Sequence, residues 1–122
     1  MLDNTFVVGP DVRIWGTVKS GGPVYVLGFV DGGILAPEVV VTQQAMVTGD
    51  IIATKASVAG QVTGNIFADD LILEAGADID GDIYHTTLNL FEGAHFEGKS
   101  RRHEKPKLLA PTLSVYEYNF DN

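Results

Sequence analysis

The chain has 122 residues, 45% of them hydrophobic, with 14 glycines, no cysteine and a formal net charge of −8. That is enough for one domain with its own core, and the lack of cysteine excludes a disulfide scaffold, a thiolate metal site and a cysteine nucleophile. An acidic chain of pI near 4.6 also argues against nucleic-acid binding, which needs a basic face.

The N-terminal residues Met1-Leu2-Asp3-Asn4 carry no positive charge and lead into no long apolar run, so no secretory signal is expected. No stretch reaches the roughly 18 apolar residues of a membrane-spanning helix, and a cytoplasmic protein is expected. Residues 1–5 are a short N-terminal segment ahead of the first strand.

From residue 6 onward the chain repeats itself. Val47-Thr48-Gly49-Asp50-Ile51, Val62-Thr63-Gly64-Asn65-Ile66 and Ile79-Asp80-Gly81-Asp82-Ile83 are versions of one phrase. With the glycine as anchor, the series runs Gly16, Gly32, Gly49, Gly64, Gly81 and Gly98, at intervals of 15 to 17 residues. Two positions before the anchor stand Ile14, Val30, Val47, Val62, Ile79 and Phe96. Two positions after it stand Val18, Ile34, Ile51, Ile66 and Ile83, and Ser100 breaks the column. A second apolar block follows each of the first five anchors: Val24-Tyr25-Val26, Val39-Val40-Val41, Ala56-Ser57-Val58, Leu71-Ile72-Leu73 and Leu88-Asn89-Leu90. Within each block the alternation has period 2, the pattern of strands with one face buried.

Each repeat therefore predicts about three short strands separated by tight corners. One repeat cannot bury its own apolar face, but stacked repeats bury a continuous core. The expected fold is an all-β parallel β-helix of about six turns, triangular in section, with turns ~4.8 Å apart. Val18, Ile34, Ile51, Ile66 and Ile83 form one interior ladder. The anchor glycines serve corners that need positive φ or a close backbone approach.

Rival folds and chemistries find less support in the residues. The left-handed hexapeptide helix of acyltransferases is the rival fold: Gly16, Gly22 and Gly28 fall six apart, but the sixfold rhythm stops by residue 34. The three histidines, His85, His95 and His103, have no ligand spacing with a repeating carboxylate. His85 replaces an alanine in its column, and His95 points outward. Asp50, Asn65 and Asp82 form a polar column at the corner, read as caps for backbone N–H groups. No catalytic, cofactor or metal residues are assigned.

The C-terminal part changes character. Residues 99–107 hold five of the eight basic residues, a solvated linker or a weak patch for an acidic lipid or partner. Pro106 and Pro111 suit a linker better than a central strand. The β-helix is thus expected over residues 6–99, with 100–122 a disordered tail. The partial alternation of residues 113–120 leaves open a strand added to a partner or a cover for the last turn.

The recurrent phrases at 47–51, 62–66 and 79–83, with the closing run Leu90-Phe91-Glu92-Gly93-Ala94-His95-Phe96-Glu97-Gly98 and Arg101-Arg102, resemble the bactofilins, bacterial cytoskeletal proteins. The resemblance covers residues 6 to about 102. It implies a right-handed β-helix that polymerises end to end without nucleotide and scaffolds cell shape, division or polar organisation. It further implies membrane or peptidoglycan proteins as partners, recruited through the tail, and a place at the inner face of the cell membrane. The basic part of the family's membrane-attachment stretch is missing from Met1-Leu2-Asp3-Asn4, so direct membrane binding stays open. For such a polymer the expected joint residues are Phe6, Val8, Val12 and Ile14 at one end and Leu88, Leu90, Phe91 and Phe96 at the other. A non-polymerising binding module on the same β-helix is the alternative, and an acyltransferase a more distant one.

Overall fold

The computed structural model describes residues 5–110, and its fifteen strands run in parallel. The first turn holds β1 (Phe6–Val8), β2 (Arg13–Trp15) and β3 (Val18–Lys19); the second holds β4 (Val24–Val26), β5 (Phe29–Asp31) and β6 (Ile34–Leu35). β7 (Glu38–Val41) and β8 (Met46–Thr48) lead into β9 (Ile51–Val58), the first of three eight-residue strands that continue around a corner. β10 (Gln61–Thr63), β11 (Ile66–Leu73), β12 (Asp78–Asp80) and β13 (Ile83–Leu90) carry the regular turns, and β14 (His95–Glu97) and β15 (Ser100–Arg102) close the last.

Pairing sorts these strands into three faces wound as about six turns. β2, β5, β8, β10, β12 and β14 form one sheet. The other sheet bends, because the front halves of β9, β11 and β13 pair with β6 and β15 while the back halves continue the series from β1, β4 and β7. The molecule is a parallel β-solenoid.

Register follows the repeat. Ile14, Val30, Val47, Val62, Ile79 and Phe96 are direct partners in successive turns. So are Val18, Ile34, Ile51, Ile66 and Ile83, all buried. The interior is one cluster of aliphatic side chains running the length of the rod. Burial of a Val or Ile side chain is worth roughly 1.5–3 kcal/mol against exposure, so these columns dominate stability.

The anchor glycines are required twice over. Gly81 has φ +151° and Gly64 φ +144°, where L side chains are strained. A Cβ on Gly81 would also overlap the carbonyl oxygen of Gly64 one turn below. Beside this corner, side chains and backbone form a ladder. The Asn65 N–H donates to Asp50 Oδ1 (3.0 Å), the Asp82 N–H to Asn65 Oδ1 (2.9 Å), and the Lys99 N–H to Asp82 Oδ1 (3.0 Å).

The solenoid extends past the boundary expected at residue 99. Ser100–Arg102 form β15, paired with Ile83–His85, because backbone pairing to an open edge needs no apolar side chain. Ser100, which interrupts the isoleucine column, sits within 2.8 Å of His85, which interrupts the alanine column. The two misfits satisfy each other. Pro106 is buried at the start of a short 3-10 helix, Pro106–Leu109, that packs on β9, β11 and β13. Residues 100–110 are thus part of the folded unit, while the expectation for the remaining tail falls on residues 111–122, outside the described ones.

Candidate polymerisation interface

At each end of the rod an interior column ends in solvent. One inward column reads Val8, Val26, Val41, Val58, Leu73 and Leu90. Its first five members are at most 1% exposed, whereas Leu90 is 58% exposed. The chemistry of the column has not changed; only the next turn is missing. At the opposite end Phe6 heads the column of Val24, Val39, Ala56, Leu71 and Leu88 and is 42% exposed, while the four that follow it are fully buried.

The backbone is open at the same places. Among the described residues β1, β2 and β3 pair on one side only, with β4, β5 and β6. At the other end, again among the described residues, β14 pairs only with β12, β15 only with β13, and Thr87–Leu90 of β13 only with β11. Unpaired strand edges over exposed apolar side chains are what natural proteins otherwise cover or charge.

The sequence-derived joint residues divide into three groups. Phe6 and Val12 are exposed at the first end, and Leu90 and Phe91 at the last. Ile14, Leu88 and Phe96 are half-buried against the core cluster, so they support the end faces from below. Val8 does not belong with them: it is fully buried in the core beside its partner Val26 and offers no surface. Trp15 was missed. It is the most exposed aromatic at the first end, 73% exposed on β2, with the Arg13 guanidinium 5.8 Å from its ring centroid. Its outward position in the alternation makes it look like a surface residue, although a bare tryptophan on an end strand is itself an interface signal.

Among the histidines, His95 is exposed and His103 accepts the Lys105 N–H on Nδ1 at 2.9 Å. His85 lies inside the solenoid, with Nε2 against Ser100 Oγ and Nδ1 buried without a partner. Burial, and secondarily the Arg102 charge, lowers its pKa below the ordinary 6.5. These groups are held by structure and converge on no common point.

A parallel solenoid with open, apolar faces at both ends is a self-assembling scaffold. The family model for bactofilin, described as polymer-forming cytoskeletal, matches residues 6–101. The chain belongs to the bactofilin family. It is similar to the bactofilin of Thermus thermophilus, solved by cryo-EM as double helical filaments, at 27% identity and a TM-score of 0.77 over 80% of this chain and 99% of that one. It is also similar to the cytoskeletal bactofilin BacA, solved by solid-state NMR, at 28% identity and a TM-score of 0.76 over 84% of this chain and 100% of that one. No curated protein matches the chain. Among the described residues no helix is long and apolar enough to cross a membrane.

Proposed function

We propose that the protein builds filaments by stacking its end turns on further copies, without nucleotide, and that the filament positions partner proteins for cell shape, division or polar organisation at the inner face of the cell membrane. The observation that carries this is Leu90: a residue of an otherwise buried column, exposed only for want of a seventh turn. Stacking supplies that turn, pairs the open edges and buries Phe6, Val12 and Trp15 at one end and Leu90 and Phe91 at the other. The role is structural and not enzymatic. The filament structure solved for a similar bactofilin supports the same reading.

The test is assembly followed by light scattering and electron microscopy with nucleotide absent, on wild type, Leu90→Arg and Phe91→Arg. Both positions are exposed, so the substitutions spare the core. Both also lower the magnitude of the net charge of −8, so lost assembly would not come from stronger overall repulsion between subunits. Filaments in wild type and dispersed protein in the variants support the joint. Wild type that stays monomeric at high concentration across a range of salt instead favours a non-polymerising binding module.

A further inference from the structure

After β15 the chain leaves the last turn and folds back along the front face. Residues 103–110 form a strap that contains the 3-10 helix Pro106–Leu109. Pro106 is buried, and Lys107 Nζ donates to Thr54 Oγ1 at 2.8 Å and lies 3.9 Å from Asp69. Along the outward column of that face Leu35, Ile52 and Phe67 are at most 2% exposed, with Tyr84 and Ala110 packed against them. A strap held by its proline, lysine and alanine has no structural need to display leucine. Yet Leu108 is 75% exposed, the most among the described large hydrophobic side chains, and Leu109 is 43% exposed.

Positive charge gathers at the same place. Residues 99–107 hold five bases against one acid, Glu104, so this stretch is formally +4 and the rest of the chain −12. Lys107 is engaged in fastening the strap. Lys99, Arg101, Arg102 and Lys105 form no ion pair among the described residues. Arg101 is the outward residue of β15, in register with Tyr84. With Arg102 and His103 it lines a cleft of about 670 Å³ that Leu109 also borders. The Leu108 N–H donates to the Lys105 carbonyl at 3.0 Å, so Lys105 sits one 3-10 turn from Leu108, the spacing at which side chains eclipse. Bases therefore flank both leucines.

We propose that this corner of the flank docks on an anionic lipid surface, with Arg101 and Lys105 among the headgroups and the leucines inserted beside them. Clustered bases next to bare leucines are the chemistry of an interfacial anchor. Each base close to an anionic leaflet strengthens binding roughly fivefold. The acidic remainder of the chain is repelled by the same surface, so the rod lies with its front flank down. An acidic protein would also attract the bases, but it would need a matching pocket for each leucine, whereas a bilayer accepts them without one. One patch of this size binds weakly, and a filament that repeats it along one side gains avidity. The proposal names the surface behind the membrane placement given above and rests on that reading. The patch belongs to a single subunit, so it does not require the polymer.

Flotation of the full chain with vesicles of phosphatidylcholine, alone or with phosphatidylglycerol added, tests this. Wild type is expected to float with the anionic vesicles and not with the neutral ones, and to detach as salt rises. Arg101→Gln/Lys105→Gln should weaken binding roughly 25-fold, and Arg101→Lys should leave it unchanged. Leu108→Ser should weaken it about tenfold. All three positions are exposed, so circular dichroism should show the fold intact in every variant. Wild type that ignores anionic vesicles overturns the proposal, as does flotation indifferent to all the variants, which places the contact elsewhere on the chain. Retention on immobilised polyglutamate without flotation assigns the patch to an acidic protein and equally overturns it. Light scattering without vesicles separates this from the filament reading. Filaments that ignore anionic vesicles overturn the lipid contact and leave the polymer standing, whereas dispersed protein that floats upholds the contact while the polymer fails.

Discussion

The Asn65 N–H donates to Asp50 Oδ1 across one turn, and Asn65 Oδ1 in turn accepts the Asp82 N–H. The first bond uses only the backbone N–H of residue 65, and the second needs only a side-chain acceptor there, which aspartate would also supply. The amide matters because it separates two carboxylates that would otherwise sit in a column of three, about 4.8 Å apart.

Two substitutions distinguish these roles. Asn65→Ala leaves the Asp82 N–H without its acceptor and should cost about 1 kcal/mol with little dependence on salt. Asn65→Asp keeps both bonds but adds like-charge repulsion, so its cost should shrink as salt rises. Thermal unfolding at low and high salt reads the difference, and equal salt dependence for the two variants would contradict it.

The corner glycines are not equivalent. Gly16 has φ +116° with nothing near the place a Cβ would occupy, whereas Gly81 has φ +151° and a Cβ would strike the Gly64 carbonyl. Gly16→Ala should therefore cost about 1–2 kcal/mol, the backbone strain alone. Gly81→Ala should cost clearly more, because the layers must also move apart. Denaturant titration of both variants gives the comparison; an equal loss would mean that layer contact contributes nothing.

A charge inside the isoleucine ladder should not be tolerated. Ile66 is fully buried between Ile51 and Ile83. Ile66→Asp removes the aliphatic packing and puts a carboxylate where no partner exists, a penalty of at least several kcal/mol. Loss of the β-sheet circular dichroism signal or of soluble protein is expected, and a soluble, fully folded variant would refute the ladder's role.

Acid should weaken the last turns through His85. Its folded pKa is depressed below 6.5, first by burial and then by Arg102, so the unfolded chain binds the proton more readily. The neutral form's contribution is complete above about pH 6.5 and declines as pH falls below it. His85→Ala makes the position match Ala36, Ala53 and Ala68 of the same column. Between about pH 7.5 and about pH 5 the melting temperature of wild type should fall further than that of the variant. Parallel curves would remove His85 as the cause.

Much of this architecture is legible in the residues because a solenoid writes the same constraint once per turn. Ile34, Ile51, Ile66 and Ile83 repeat at the same distance from a glycine, so each confirms the register of the next. The parts that escape such reading lack repetition or break its rule. Ser100–Arg102 join the sheet through backbone groups alone, and their charged side chains give no apolar signal. Pro106 reads as a linker residue yet is buried, because the folded-back chain gives it a surface to meet. Leu35, Ile52, Phe67 and Tyr84 do repeat, one place after the inward isoleucines. Strict alternation consigns that place to solvent, and only the fold shows that the column is covered. Val8 and Leu90 share one column, and neither residue type tells which end is covered.

The direction of the backbone pairing has a mechanical consequence. The strands lie across the rod, and their interturn hydrogen bonds, such as those from the Gly49 N–H to the Thr63 carbonyl and from the Ile51 N–H to the Asn65 carbonyl, point along it. A filament pulled lengthwise loads these bonds end-on, with the bonds of one layer sharing the force and successive layers bearing it in series. Within a subunit every layer is also spliced covalently to the next through the corners. Between subunits that splice is absent, so tension breaks the filament at the joint and leaves the turns of each subunit wound.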